Sequence, residues 1–151
     1  EPRTSTPARR LAAMQTLNER GIPAGVMIGP VIPGLNDEEI PRILEAACAA
    51  GAAEAGYNLV RLPLSVEPIF DAWLDEHVPL EAAKVRNRIR SVRDGALSDA
   101  NFATRQHGTG AYADLLRQVF RSGCKRLGLN RVRRTMNTTA FRRGGQETLF
   151  G

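Results

Sequence analysis

Apolar and polar positions alternate between two periods over the first third of the chain. Thr6-Pro7 reads as a helix start, with a hydroxyl N-cap and proline at the first helical position. Leu11, Met14 and Leu17 then recur at helical spacing, and Gly21 stops the helix. The next stretch, IPAGVMIGPVIP (22–33), is apolar on both faces, as a strand buried inside a parallel sheet would be. Asn36 and Glu39 have the spacing of a capping pair. Asp37, Glu38 and Glu39 suit the positive end of the helix that follows. Ile40, Ile43, Leu44 and Ala47 form its inner stripe, and Gly51 ends it. GYNLVRLP (56–63) reads as a second strand.

From Ser65 onward the period is helical. In VEPIFDAWLDEHV the residues Ile69, Phe70, Trp73 and Leu74 share one face. In LEAAKVRNRIRSVR the residues Val85, Ile89 and Val92 point inward, while Lys84, Arg86, Arg88, Arg90 and Arg93 lie elsewhere. Asp94-Gly95 is a turn signal, and 96–110 reads as a loop. A last helix spans 111–129, with Tyr112, Leu115, Leu116, Val119, Phe120 and Leu127 near helical spacing. Beyond Asn130 the chain is basic and weakly periodic and reads as a flexible tail.

Helix, strand, helix, strand implies an α/β fold with two parallel strands. Two strands can neither close a barrel nor cover both faces of a sheet. With Glu1 in place of an initiating Met, the expectation is a portion of a longer protein. The organisation expected is an α/β unit over 1–64, a helical region over 65–130 and a basic tail over 131–151.

Charge divides the chain in a way that periodicity does not. Residues 1–85 hold 7 Lys/Arg and 12 Asp/Glu, whereas 86–151 hold 14 and 4. The second half is a candidate electrostatic footprint for nucleic acid. Charge alone weighs that evenly against a solvated helix face and a soluble tail. No apolar run reaches the length of a membrane span, and no signal-peptide pattern opens the chain. Cys48 and Cys124 make neither a disulfide framework nor a metal cluster, so a reducing, cytoplasmic setting is expected. His77 and His107 are isolated, and Ser65, Ser98 and Ser122 lack a triad pattern. Tyr57 and Tyr112 read as core or rim aromatics, and Cys124 as a packed helix residue.

The segments TPARRL, GIPAGVMIGPVIPGLNDEEIPRILEAACAAGA and GYNLVRLP, continuing through RIRSVRDGALSDANF, together resemble the radical SAM superfamily. The likeness is to the branch related to spore photoproduct lyase, described as DNA repair photolyase-like. It implies the C-terminal part of a partial (β/α)6 barrel followed by a helical extension. It also implies a parent enzyme with a 4Fe–4S cluster and S-adenosylmethionine, cleaving that cofactor to a 5′-deoxyadenosyl radical. The family's CxxxCxxC cluster loop has no match in this chain, so the chain alone is expected to bind no cluster and to be inactive. The family's late-strand GxIxGxxE pattern is matched in part by residues 30–37. Ile32 and Gly34 agree, Pro30 stands for the first glycine and Asp37 for the glutamate.

The resemblance makes Ile32, Pro33 and Gly34 candidates for a wall of the cofactor pocket. The residues add a physical reason, because parallel α/β folds hold ligands at strand carboxyl ends. Read from the residues alone, the same corner is a rigid turn with no ligand. Arg61, inside an apolar strand, either meets an anionic group of cofactor or substrate or pairs with a neighbouring helix. Gln146, Leu149 and Phe150 in QETLF resemble the bacterial sliding-clamp motif, with Glu147 departing from it. The other functional reading is a non-catalytic module that grips nucleic acid through 86–151 and tethers to a clamp through its tail.

Overall fold

The computed structural model describes residues 4–101 and 104–132. The tail candidates Gln146, Leu149 and Phe150, and Arg3, lie outside the described residues. The described residues form a mixed α/β structure of five α-helices and a two-stranded parallel sheet. Helix α1 (Pro7–Glu19) starts as its sequence predicts, with the Thr6 hydroxyl accepting from the Arg9 N–H at 3.4 Å and Pro7 in the first turn. It buries no residue completely, since Leu11 and Met14 are half-buried and Leu17 is exposed.

Strand β1 (Gly25–Val31) is shorter than the apolar run and much less buried than expected. Only Ile28 and Val31 are fully buried, Val26 packs against the core half-buried, and Met27 is 64% exposed. Among the described residues β1 pairs only with β2, so its other edge is uncovered. The register slips between Ile28 and Val31, over the span that contains Gly29 and Pro30. Proline has no N–H for a ladder and is tolerated at such an edge.

Helix α2 (Ile40–Ala49) crosses over the sheet and buries Ile40, Leu44 and Ala47, the inner stripe read from sequence. The chain returns as β2 (Glu54–Leu59), parallel to β1, with Val26 opposite Ala55 and Ile28 opposite Tyr57. Strand β2 therefore ends before Arg61 rather than after it. Its outer edge is closed by single residues instead of a strand. The Asn130 side chain accepts from the Ala55 N–H at 2.8 Å and donates to the Ala55 carbonyl at 2.9 Å. Gln106 contributes a carbonyl to the Leu59 N–H at 2.9 Å.

Helices α3 (Glu67–His77) and α4 (Pro79–Ser91) form a hairpin with its own core of Leu74, Ala82, Val85 and Ile89, reaching Val60 and Leu62 beyond β2. The inward placement of Val85, Ile89 and Val92 holds, as each is at most 1% exposed. The stripe read on α3 does not, because only Leu74 is fully buried. Ile69 is 69% exposed, and Trp73 stacks between Phe70 and His77 on the outside. Helix α3 packs mainly on α4, and that contact covers a narrower stripe than a full core does.

Helix α5 (Gly110–Leu127) packs back on α2, burying Ala113, Leu116, Phe120 and Cys124 in the core of β1 and β2, while Leu115 stays half exposed. Gly123 allows this approach, since a Cβ there would fall 2.7 Å from the Leu44 Cδ1. No helix among the described residues is long and apolar enough to cross a membrane.

Asn130 holds a left-handed backbone (φ 59°) and two bonds to the sheet edge. Asn130→Ala loses both and is expected to destabilise the fold by about 1–2 kcal/mol. The midpoint of urea unfolding reads that loss directly.

Candidate functional site

The chain leaves β1 through a corner held by side chains rather than by a helix cap. Asn36 does not cap α2. Its Oδ1 accepts from the Ile32 N–H at 2.7 Å, and its Nδ2 donates to the Pro30 carbonyl at 3.1 Å. The Glu39 N–H goes to the Asn36 carbonyl at 3.1 Å, so no capping box forms. Asparagine folds its own local backbone here, the alternative that competes with capping. A single 3-10 turn, Asp37–Glu39, then leads into α2.

Asp37 is the polar centre of this corner and is only 6% exposed. Its Oδ1 accepts from the Gly34 N–H at 3.1 Å, and its Oδ2 accepts from the Tyr112 hydroxyl on α5. Burial, the hydrogen bond to Asp37 and the charge of that carboxylate push the Tyr112 pKa up to about 12. The Arg88 guanidinium lies over the Tyr112 ring, 4.2 Å from its centroid, a cation–π contact that ties α4 to the same point. Neither Tyr112 nor Arg88 was legible as part of the corner, because both come from distant sequence.

The predicted site residues are divided by this arrangement. Ile32 is half-buried against the α3–α4 core, and Pro33 behind it is fully buried. Gly34 takes a left-handed φ of 82°, and the space of its missing Cβ lies 3.1 Å from the Arg88 Cγ. The N–H groups of Ile32 and Gly34 are both satisfied internally. The corner therefore offers an apolar wall at Ile32 and no backbone donor from these two residues.

Arg61 stands two residues past β2 with an exposed side chain. The buried cation of the strand end is Arg93 instead, only 4% exposed, which the sequence pattern left off the inner face. Its Nη2 donates to the Val60 carbonyl at 2.8 Å, and Nη1 lies 3.7 Å from the Asp99 carboxylate. Burial lowers its pKa, Asp99 opposes that, and the charge of Arg61 adds to the lowering. Asp99 is held below the usual carboxylate range by the Thr104 hydroxyl and the Asn101 N–H. Arg93 thus joins Val60, just past β2, to Asp99 and Thr104. A buried cation with a carbonyl and a carboxylate as partners is a structural tie.

An open cleft of about 740 Å3 lies beside the uncovered edge of β1, between α1 and α2. Its walls are Leu11 and Met14 of α1, Val26 to Pro30 of β1, and Ile43 of α2. Among the described residues no group of three His, Cys, Asp or Glu side chains could hold a metal ion. The two cysteines are engaged separately, Cys48 with the Leu127 carbonyl and buried Cys124 beside Asn130. Fold and site together define an α/β unit whose strand-end corner is locked by a buried carboxylate. No family model matches the chain, and neither a curated protein nor a solved structure matches it.

Tyr112→Phe leaves one oxygen of the buried Asp37 without its donor, an expected loss of about 1–2 kcal/mol. The Tyr112 contribution is complete below its unfolded pKa of 10.0 and is lost as pH rises toward about 12. Unfolding of the native chain should thus become easier with rising pH across that window, and the variant should show a shallower slope. Tyr57, whose pKa is also raised by burial, leaves the variant some residual slope. Gly34→Ala is expected to cost at least about 1 kcal/mol through its left-handed backbone, read as a lowered thermal midpoint.

Proposed function

We propose that this chain is the C-terminal part of a radical SAM iron–sulfur enzyme, with β1 and β2 as the last strands of a partial (β/α)6 barrel. The observation that carries the reading is the cleft beside β1. A parallel strand with one free edge, an apolar groove along it and a helix on either side has the form of a sheet waiting for its next strand. The sequence resemblance supplies the family, and the parallel β1–α2–β2 unit agrees with it.

The described residues do not fit a 4Fe–4S cluster, since Cys48 and Cys124 are separately engaged and no third ligand joins them. The cluster ligands belong to another part of the parent. When bound there, the cluster and S-adenosylmethionine would supply a 5′-deoxyadenosyl radical. This chain's share is positional. Ile32 presents an apolar surface to the adenine, Pro33 stiffens it from behind, and Asp37 holds the turn by its bond to Gly34. Arg61, exposed just past β2, is free to meet an anionic group of cofactor or substrate.

The parent protein purified without oxygen should contain iron and sulfide and should release 5′-deoxyadenosine from S-adenosylmethionine on reduction. In it, Ile32→Ala should weaken S-adenosylmethionine binding by roughly tenfold, the loss of one apolar contact, with iron content unchanged. A parent without a cluster, or an Ile32→Ala variant that binds the cofactor normally, overturns the reading.

A further inference from the structure

Helix α5 carries Arg117, Arg121 and Lys125 one turn apart, within an arc of about 80° on its surface. Like charges at that spacing destabilise a helix. Arg117 is relieved by Asp114, and Arg126 by Glu45 at 2.7 Å. Arg121 and Lys125 are exposed and have no ion pair among the described residues. Lys125, in the last turn, complements the helix dipole. That does not extend to Arg121, a full turn further back, or to Arg131, beyond the helix end.

These three cations rim a cavity of about 520 Å3 floored by Phe120, Cys124 and Leu129. Arg131 folds back over the Gly128 turn, within 3.0 Å of where a Cβ at Gly128 would sit. Behind the floor, Tyr57 packs at a tilt against Phe120, 4.8 Å between ring centroids, and its hydroxyl is buried with no hydrogen-bond partner among the described residues. Burial raises the Tyr57 pKa, and the charges of Arg117 and Arg121 oppose that rise.

From this arrangement we infer that the C-terminal half of α5, with Arg121, Lys125 and Arg131, is a binding surface for the phosphodiester backbone of a nucleic acid. The stripe suits a repeating anion, because Arg117, Arg121 and Lys125 follow one another about 6 Å apart along the helix and Arg131 continues beyond its end. A phospholipid surface fits less well. The floor residues are each under 10% exposed, so no apolar side chain of the cavity is available to insert among acyl chains. The surface starts about 14 Å along α5 from Tyr112, and it does not depend on the radical SAM reading. Four further arginines, Arg133, Arg134, Arg142 and Arg143, follow in the sequence and lie outside the described residues.

The test is a fluorescence-anisotropy titration of the full 151-residue chain with single-stranded and duplex DNA oligonucleotides at several salt concentrations. The comparison is Arg121→Ala/Lys125→Ala/Arg131→Ala against an Arg9→Ala/Arg10→Ala/Arg20→Ala control, which removes the same charge from α1. The triple variant should bind at least about tenfold more weakly at low salt. Its log–log salt slope should fall by about 2 on single strands or about 3 on duplex, with the control close to the native chain. The arm with the larger loss names the preferred form. Equal loss in variant and control, no loss in the variant, or no binding by the native chain overturns the inference. So does binding confined to anionic phosphatidylserine vesicles. Thermal melting of each variant separates lost binding from lost fold, and a variant that melts early is replaced by Arg121→Gln/Lys125→Gln, judged by the same slope, now falling by about 1.4 or 1.8.

Discussion

The carboxylate of Asp37 is the point at which the strand layer and the helix layer meet. One oxygen holds the Gly34 N–H and so closes the turn after β1. The other takes the Tyr112 hydroxyl and so fixes the first turn of α5 over that corner. A buried carboxylate tolerates little freedom in its partners, because an unmet lone pair there keeps its full desolvation penalty. Asp37 therefore sets where α5 begins, and Arg88 on the Tyr112 ring adds α4 to the same joint. Arg93 does the corresponding work at the end of β2, tying Val60 to Asp99 and Thr104.

These two joints account for an uneven molecule. Around them the interior is closed, with Ile40, Leu44 and Val85 fully buried. Away from them β1 keeps a free edge and α1 rests on the fold by half-buried side chains only. The functional readings follow the same division. The corner at Ile32 is rigid and apolar, fit to support a ligand face. The outer end of α5 is cationic and open, fit to meet phosphate. The first rests on the family resemblance together with the free edge of β1, and the second on the placement of charge around the cavity at the end of α5.

Much of the fold was legible along the chain wherever a local rule acts. The Thr6-Pro7 start, the α2 stripe of Ile40 and Leu44, and the inward Val85 and Ile89 were each readable from a cap or a period. The candidate corner was readable too, because Pro33 and Gly34 restrict their own backbone. Its wiring was not. Asn36 has the composition of a helix cap and serves the turn before it instead, and only the path of the chain decides between the two. Arg61 and Arg93 exchanged places for a similar reason. Periodicity assigns a face, but burial depends on which element arrives to cover it.

Sequence by itself determined the local periods, the order of helix and strand, and the concentration of positive charge after residue 85. Those properties belong to neighbouring residues and need no distant partner. Tertiary structure alone decided that Tyr112 closes on Asp37, that Asn130 completes the edge of β2, and that Trp73 stays outside. The first two join residues 75 apart, and the third depends on which elements come to cover α3. Contacts of that range exist only once the chain has folded back on itself, so no pattern within one segment can announce them.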